Sequence, residues 1–314
     1  MPLSPLPRYF PSLVLCFAGF AIGAKAEEGS PKSQPLTMIT DEVRRDLERL
    51  DEFFDTRLPG TLRHYNLELK FTPKFGDLRD NEFIRYPFEL RYGLGNDTEI
   101  YGGMTPFTPN PFNNGRQHRW GFGEQRLGVR HDFGRLLWFY DESTIGIEGR
   151  SPLGKPPIEV IDGYSHIRPF VTGSRQLKLI PDTKFYTNFS YDREVATPSR
   201  ENPVGISKMH IAEVGPGLFY KPNEFGLFGE YRFQYITTDM GSHHAHNRKV
   251  GVVWDVPLER SQKWKLPGKW KVELAYKFNH EQGFDDDHGL VARVSWRTSL
   301  REVLDATNKS ARSK

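Results

Sequence analysis

The sequence predicts an all-β fold, an antiparallel transmembrane β-barrel of about twelve strands, and three observations carry that prediction. Segment after segment alternates apolar and polar residues with a period of two, which is the period of a strand with two unlike faces. One face of these segments is rich in Phe, Tyr and Trp, while the other carries Glu, Lys and Arg. The N-terminus has the three parts of a secretory signal. A bundle of membrane helices is excluded, because the mean hydropathy is negative and no apolar run beyond the N-terminus reaches the ~18 residues a spanning helix needs. A closed barrel tolerates that polarity, since half of every strand faces its lumen.

Residues 1–26 read as the signal: Arg8, an apolar run from Phe10 to Ile22, then Ala24-Lys25-Ala26 before an acidic start, with cleavage expected after Ala26. Leu13 to Cys16 differs from a lipid-attachment box because Leu15 stands where a small residue is preferred. The 314-residue chain has 43 basic and 40 acidic residues; losing Arg8 and Lys25 leaves 41 against 40, which gives no support to a nucleic-acid partner. Cys16 is the sole cysteine, so the mature chain would have neither disulfide nor thiol nucleophile. Residues 27–61 combine a Pro- and Ser-rich linker with one amphipathic helix, Thr40 to Phe54, in which Val43, Leu47, Leu50 and Phe54 recur at helical spacing.

The barrel is expected over 62–297, followed by a polar tail, 298–314. Its clearest strand follows the turn Lys221-Pro222-Asn223-Glu224: Phe225, Leu227, Tyr231, Phe233 and Tyr235 share one face, and Glu230, Arg232 and Gln234 the other. A helix would scatter these residues and leave no apolar stripe. The same design begins at Tyr65 to Phe71, continues at Arg85 to Tyr92, and turns through Gly93 to Asp97 into Ile100 and Met104. Weaker alternation marks Gly121 to His131, Leu136 to Gly149, Ser165 to Thr172, Thr183 to Tyr191 and Lys208 to Tyr220. Lys249 to Val256, Trp270 to Phe278 and Leu290 to Trp296 complete the set. Long polar loops are expected at Pro106 to His118, Ala196 to Ser207, Thr238 to Asn247 and Glu281 to His288.

From the alternation, Arg85, Glu89, Arg91, Glu230, Arg232, Glu273, Lys277, Arg293 and Arg297 are expected to face the lumen. Tyr86, Phe88, Leu90, Tyr231, Phe233, Tyr235, Leu274, Tyr276, Val294 and Trp296 are expected to face lipid. These residue types in this pattern point to an outer-membrane pore or transporter for small solutes, with a non-conducting structural barrel as the alternative and a lipid-acting enzyme as a third reading. Mixed lumen charges imply weak ion selectivity. Outer-membrane lipids, a small solute and the barrel assembly machinery are the expected partners.

No cofactor, metal or catalytic residue is expected. Ser165 and His166 are the nearest candidates for a lipase couple, but neighbours on a strand point to opposite faces. No nucleophile elbow or zinc-protease motif is present. His243, His244 and His246, and the run Asp285-Asp286-Asp287-His288, are read as solvated loops rather than metal sites.

Several short motifs go further. Leu90-Arg91-Tyr92-Gly93-Leu94 with Asn96 to Ile100, Gly121-Phe122-Gly123-Glu124 with Leu127-Gly128-Val129, and Ser151-Pro152-Leu153-Gly154 are three of them. With Asn188 to Tyr191 and Leu227 to Tyr231, they make the chain similar to the outer-membrane barrel family labelled MetA-pathway of phenol degradation. The resemblance covers most of Leu62 to Trp296 and implies a transporter-like barrel. Asp287 to Val294 resembles the terminal signal read by the barrel assembly machinery, although such signals usually end the chain and here a tail follows.

Overall fold

A computed structural model of the protein describes residues 59–62, 64–76, 83–112, 120–135, 139–153, 164–196, 209–239, 241–263, 268–282 and 286–299. The expected signal and its cleavage site, the helix Thr40 to Phe54 and the tail beyond Ser299 lie outside the described residues. The sheet is built from β1 (Asn66–Phe71), β2 (Lys74–Gly76), β3 (Phe83–Arg85), β4 (Phe88–Gly95), β5 (Thr98–Pro109), β6 (Gly121–Gly134) and β7 (Glu142–Pro152). It continues through β8 (Ser165–Gln176), β9 (Thr183–Ala196), β10 (His210–Tyr220), β11 (Phe225–Thr238), β12 (Gly241–Val256), β13 (Lys269–Glu281) and β14 (Asp287–Ser299).

Each segment from β4 onward pairs antiparallel with the next, and β1 pairs with both β4 and β14, which closes the sheet into a ring. Fourteen segments make a barrel of twelve staves, because β2 and β3 continue β1 and β4 across two prolines. Pro73 and Pro87 have no N–H to give a ladder, so each stave breaks there. The Thr72 amide still donates to the Pro87 carbonyl at 2.9 Å, which holds the broken staves together. Closure matters because an open edge in lipid would leave backbone groups without partners.

Turn chemistry sets the register. Asn96 and Asp97 both have positive φ, 48° and 55°, the geometry of the two-residue turn that matches strand twist. At Lys221 to Glu224 the Phe225 amide donates to Asn223 Oδ1 at 2.8 Å. These turns lie at one rim, with the end of β14 and the strand ends that bound 257–268, while the strand ends that bound 110–120, 153–164 and 197–209, and those of β11 and β12 at Thr238 and Gly241, lie at the other. Outer-membrane barrels keep short turns on the periplasmic side and longer loops outside. The rim of the short turns is therefore called inner and the other outer.

The wall is apolar outside. Cross-strand register aligns Leu227, Val252, Leu274 and Ala292 in one outward row, and the first three of these are exposed. Near the inner rim Phe225 stacks on Trp254 at 5.9 Å and Trp270 lies 6.2 Å from Trp296, an aromatic girdle below the aliphatic rows.

Four expectations need correction. Thr238 to Asn247 is no loop: Gly241 already pairs with Thr238, Ser242 to Asn247 pair with β11, and Ala245 to Asn247 pair with β13 as well. Polar Ser and His side chains resemble a loop, but ladder partners on both sides decided the backbone. Likewise β5 runs to Pro109 and β13 to Glu281, which shortens two further expected loops. Strand β7 begins at Glu142, so residues 139–141 are outside it. A six-residue helix, α1 (Leu258–Lys263), lies between β12 and β13; its Glu259 start and Arg260 and Lys263 end suit the helix dipole.

Candidate functional site

The inward positions of the staves form a ladder of paired charges through the barrel. On β4, Glu89 and Arg91 alternate with outward Phe88 and Leu90. Arg91 is a hub: its Nη1 meets Glu68 Oε2 of β1 at 2.5 Å, its Nε meets Glu99 Oε1 of β5 at 2.5 Å, and its Nη2 donates to Glu99 Oε2 at 2.8 Å. Arg130 of β6 also reaches Glu99, at 3.0 Å. Glu89 lies 3.4 Å from both Lys70 and Arg126.

A second cluster spans β8 to β12. Glu213 accepts from Arg168, Asn188 and Gln234 at 3.0, 3.2 and 3.0 Å, with Arg232 at 3.5 Å. Glu230 lies 2.9 Å from Lys249 and 3.6 Å from Arg232, and it accepts from the Tyr186 hydroxyl at 3.1 Å. A third group pairs Glu273 of β13 with Arg293 of β14 and with Lys271 at 3.4 Å. Burying charges is costly unless each is paired, so this density of pairs is what lets charged side chains line a narrow interior.

Glu89, Arg91, Glu230, Arg232, Glu273 and Lys277 are buried inward, and Arg293 is half-buried beside Glu273. Arg85 is half-buried on β3. Arg297 is largely exposed near the end of β14, where its Nη2 donates to Glu68 Oε1 at 2.9 Å. On the other face Phe88, Leu90, Tyr231, Tyr235, Leu274 and Tyr276 are exposed, while Tyr86, Phe233, Val294 and Trp296 are half-buried.

Aromatic rings narrow the lumen further. Tyr101 faces Gly128 in register, and Phe170 faces Gly146, Tyr186 faces Gly217 and Phe228 faces Gly251. A Cβ on Gly128, Gly146 or Gly217 would lie within about 2.3 Å of the ring opposite, so the missing side chain is what lets each ring lie along the wall. Near the inner mouth residues 59–62 lie against the lining. The Leu62 amide donates to Glu99 Oε2 at 2.8 Å and the Gly60 amide to Thr144 Oγ1 at 2.8 Å, with Leu62 itself buried.

His166 Nδ1 lies 2.9 Å from Asp192 Oδ1 inside the barrel, whereas Ser165 is on the outward parity of β8. The nearby Ser190 hydroxyl instead accepts from Arg168 Nε at 3.1 Å. His243 is buried inward 2.8 Å from Glu281, while His244 and His246 are on the outer wall. Among the described residues no group of three His, Cys, Asp or Glu side chains is arranged to hold a metal ion.

Several lining residues were missed from sequence: Glu99, Arg126, Arg130, Glu148, Arg150, Arg168, Glu213 and Lys249. Their signal was present, since Arg126, Gly128 and Arg130 alternate with Leu127 and Val129, and Glu148 and Arg150 are spaced by two. Glycines at inward positions weakened the contrast between the faces.

No protein-family profile matches the chain, and no curated protein matches it. Solved structures do. An outer-membrane channel from Pseudomonas putida F1 has a TM-score of 0.51 at 6% identity, covering 79% of this chain and 100% of that one. The NanC porin gives 0.44 at 11% identity, covering 74% and 98%. The KdgM porin, solved in complex with disordered oligogalacturonate, gives 0.41 at 8% identity, covering 74% and 98%. At such identities the likeness is one of fold, and the first of these carries it. With an exposed apolar wall around a charged interior, the chain has the fold of a bacterial outer-membrane β-barrel.

Proposed function

We propose that the protein is a passive channel for small solutes in the bacterial outer membrane. The observation that carries this reading is the lining: paired carboxylates and guanidinium or ammonium groups follow one another around the lumen from Glu68 and Arg91 to Glu213, Glu230 and Arg232. Twelve staves fall between filled small barrels and open porins, so a polar lining of this kind suits a narrow channel. Because both signs are interleaved, the channel discriminates by size and hydrogen bonding more than by charge. The resemblance of short motifs such as Leu90 to Leu94 to the phenol-degradation family fits this reading, and on it β14 would be the strand that the barrel assembly machinery reads.

A non-conducting structural barrel is the second reading. It is favoured by the close packing of the lining, in which Glu99 and Lys277 are almost fully buried, and by the strap at 59–62. Planar-bilayer recording across a salt gradient separates the two. A channel gives discrete conductance steps, and Arg232→Ala, by removing a cation beside Glu213 and Glu230, moves the reversal potential toward cation preference. A barrel that still shifts on a gel when boiled yet gives no steps would sink the channel reading.

A further inference from the structure

Five of the ten histidines, His210, His244, His246, His280 and His288, are on the outer wall of β10, β12, β13 and β14, toward the outer rim. Their depth is regular. From Tyr220 to His210, Trp254 to His244 and Trp270 to His280 the same outward face runs about ten residues, which for a tilted strand is about 25 Å, the height of the apolar band. These imidazoles thus stand where an upper aromatic girdle is expected. On the other side of the barrel, Tyr86, Phe88, Trp120 and Phe122 are aromatic side chains toward the same rim.

The surroundings are cationic and aromatic. Arg193 of β9, opposite His210, and Arg248 of β12 are exposed on the same wall, Arg248 four residues below His244, from where a long side chain can carry its guanidinium up toward the headgroups. His210 Nδ1 lies 2.9 Å from the Tyr191 hydroxyl and His246 Nδ1 lies 2.5 Å from that of Tyr231. The His246 ring is 5.2 Å from His244 and 6.2 Å from His280, and His288 is 6.0 Å from Tyr276. Tyr235 pairs in register with His244. The acids near this stretch are Asp286, 2.6 Å from His280 Nδ1, and Asp239 in the β11 to β12 turn.

We propose that this belt binds the phosphate groups of lipid headgroups in the outer leaflet, and that it grips them more strongly as its histidines protonate. Two guanidinium groups supply charge at every pH, and each imidazole that takes up a proton adds to it. With Nδ1 of His210, His246 and His280 engaged by neighbours, Nε2 is the donor left to meet a phosphate oxygen. The phenols beside them suit the same depth, because Tyr has an apolar body and a polar tip.

The proposal rests on membrane insertion and not on conduction, so the experiment reads both in one sample. The full barrel is reconstituted in phosphatidylcholine vesicles with trace spin-labelled phosphatidylglycerol or phosphatidylcholine, and insertion is checked by its gel shift on boiling. At about pH 5.5 the motionally restricted fraction of phosphatidylglycerol should exceed that of phosphatidylcholine by about threefold, and the excess should shrink at about pH 8. Phosphatidylglycerol keeps one charge over this range, so the change reports the protein. Replacing the five histidines by Tyr, which keeps the girdle aromatic, should abolish the pH dependence; Arg193→Gln with Arg248→Gln should remove the remainder at about pH 8. Equal restriction of both lipids by an inserted wild-type barrel overturns the proposal, as does a tyrosine variant with unchanged pH dependence. Failure of the wild type to insert overturns the membrane reading itself.

Discussion

Glu99 and Arg232 are both buried charges, yet they should respond differently to removal. Glu99 alone bridges Arg91 and Arg130 and also receives the Leu62 amide. Glu99→Ala therefore takes a carboxylate from two buried guanidinium groups at once, leaving Arg91 with Glu68, and is expected to cost about 2–3 kcal/mol. Arg232→Ala leaves Glu213 with Arg168, Asn188 and Gln234, and Glu230 with Lys249 and Tyr186, so its cost should be about 1 kcal/mol. Urea unfolding in vesicles, followed by tryptophan fluorescence, measures both. Equal losses would mean that the redundancy seen around Glu213 and Glu230 carries no stability.

For single staves, depth and facing decide the outcome. An arginine at Phe233 is expected from sequence to cost about 2–4 kcal/mol if that residue sits at the midplane. Its ring lies 5.3 Å from His246, close to the outer rim, so the expected cost falls to about 1 kcal/mol. Leu274, in the aliphatic row with Leu227 and Val252, is the midplane position, and Leu274→Arg should cost about 2–4 kcal/mol in the same assay. Facing can be tested at Gly217, where a Cβ would lie 2.3 Å from the Tyr186 ring. Gly217→Ala should push that ring into the lumen, cost about 1–3 kcal/mol and reduce conductance. These faces were legible in the sequence wherever aromatics alternate with charges, as at Phe225 to Tyr235. They were poorly legible in β6 to β8, where inward Gly128 and Gly146 blur the pattern, and in β12, whose His243 to Asn247 look like a loop until their strand partners are known. The ion pairs themselves could not be read, because strand tilt and stagger decide which inward charge meets which, and neither is written in one strand.

On the scale of the whole barrel the weak point is the seam between the first and last staves, where β1 contributes only six residues, Asn66–Phe71. Glu68 clamps it from inside, accepting from Arg297 of β14 at 2.9 Å and meeting Arg91 of β4 at 2.5 Å. A closed sheet has no spare edge, so once the seam opens every backbone group along it is exposed to hydrocarbon and the remaining staves lose their closure. Glu68→Ala removes the clamp while Arg91 keeps Glu99 and Arg297 stands at the exposed end of β14, so it should cost about 1–3 kcal/mol and lower the temperature at which the compact gel band disappears. Glu142→Ala is the matched control. Its partner Lys184 lies 3.2 Å away with both side chains 45% exposed, a rim pair whose loss should cost about 0–1 kcal/mol. Because the seam is shared by the whole ring, the Glu68→Ala barrel should still unfold in one transition, shifted but no broader. A second, earlier transition would show that β1 peels away independently, and equal behaviour of the two variants would show that the clamp does not hold the barrel closed.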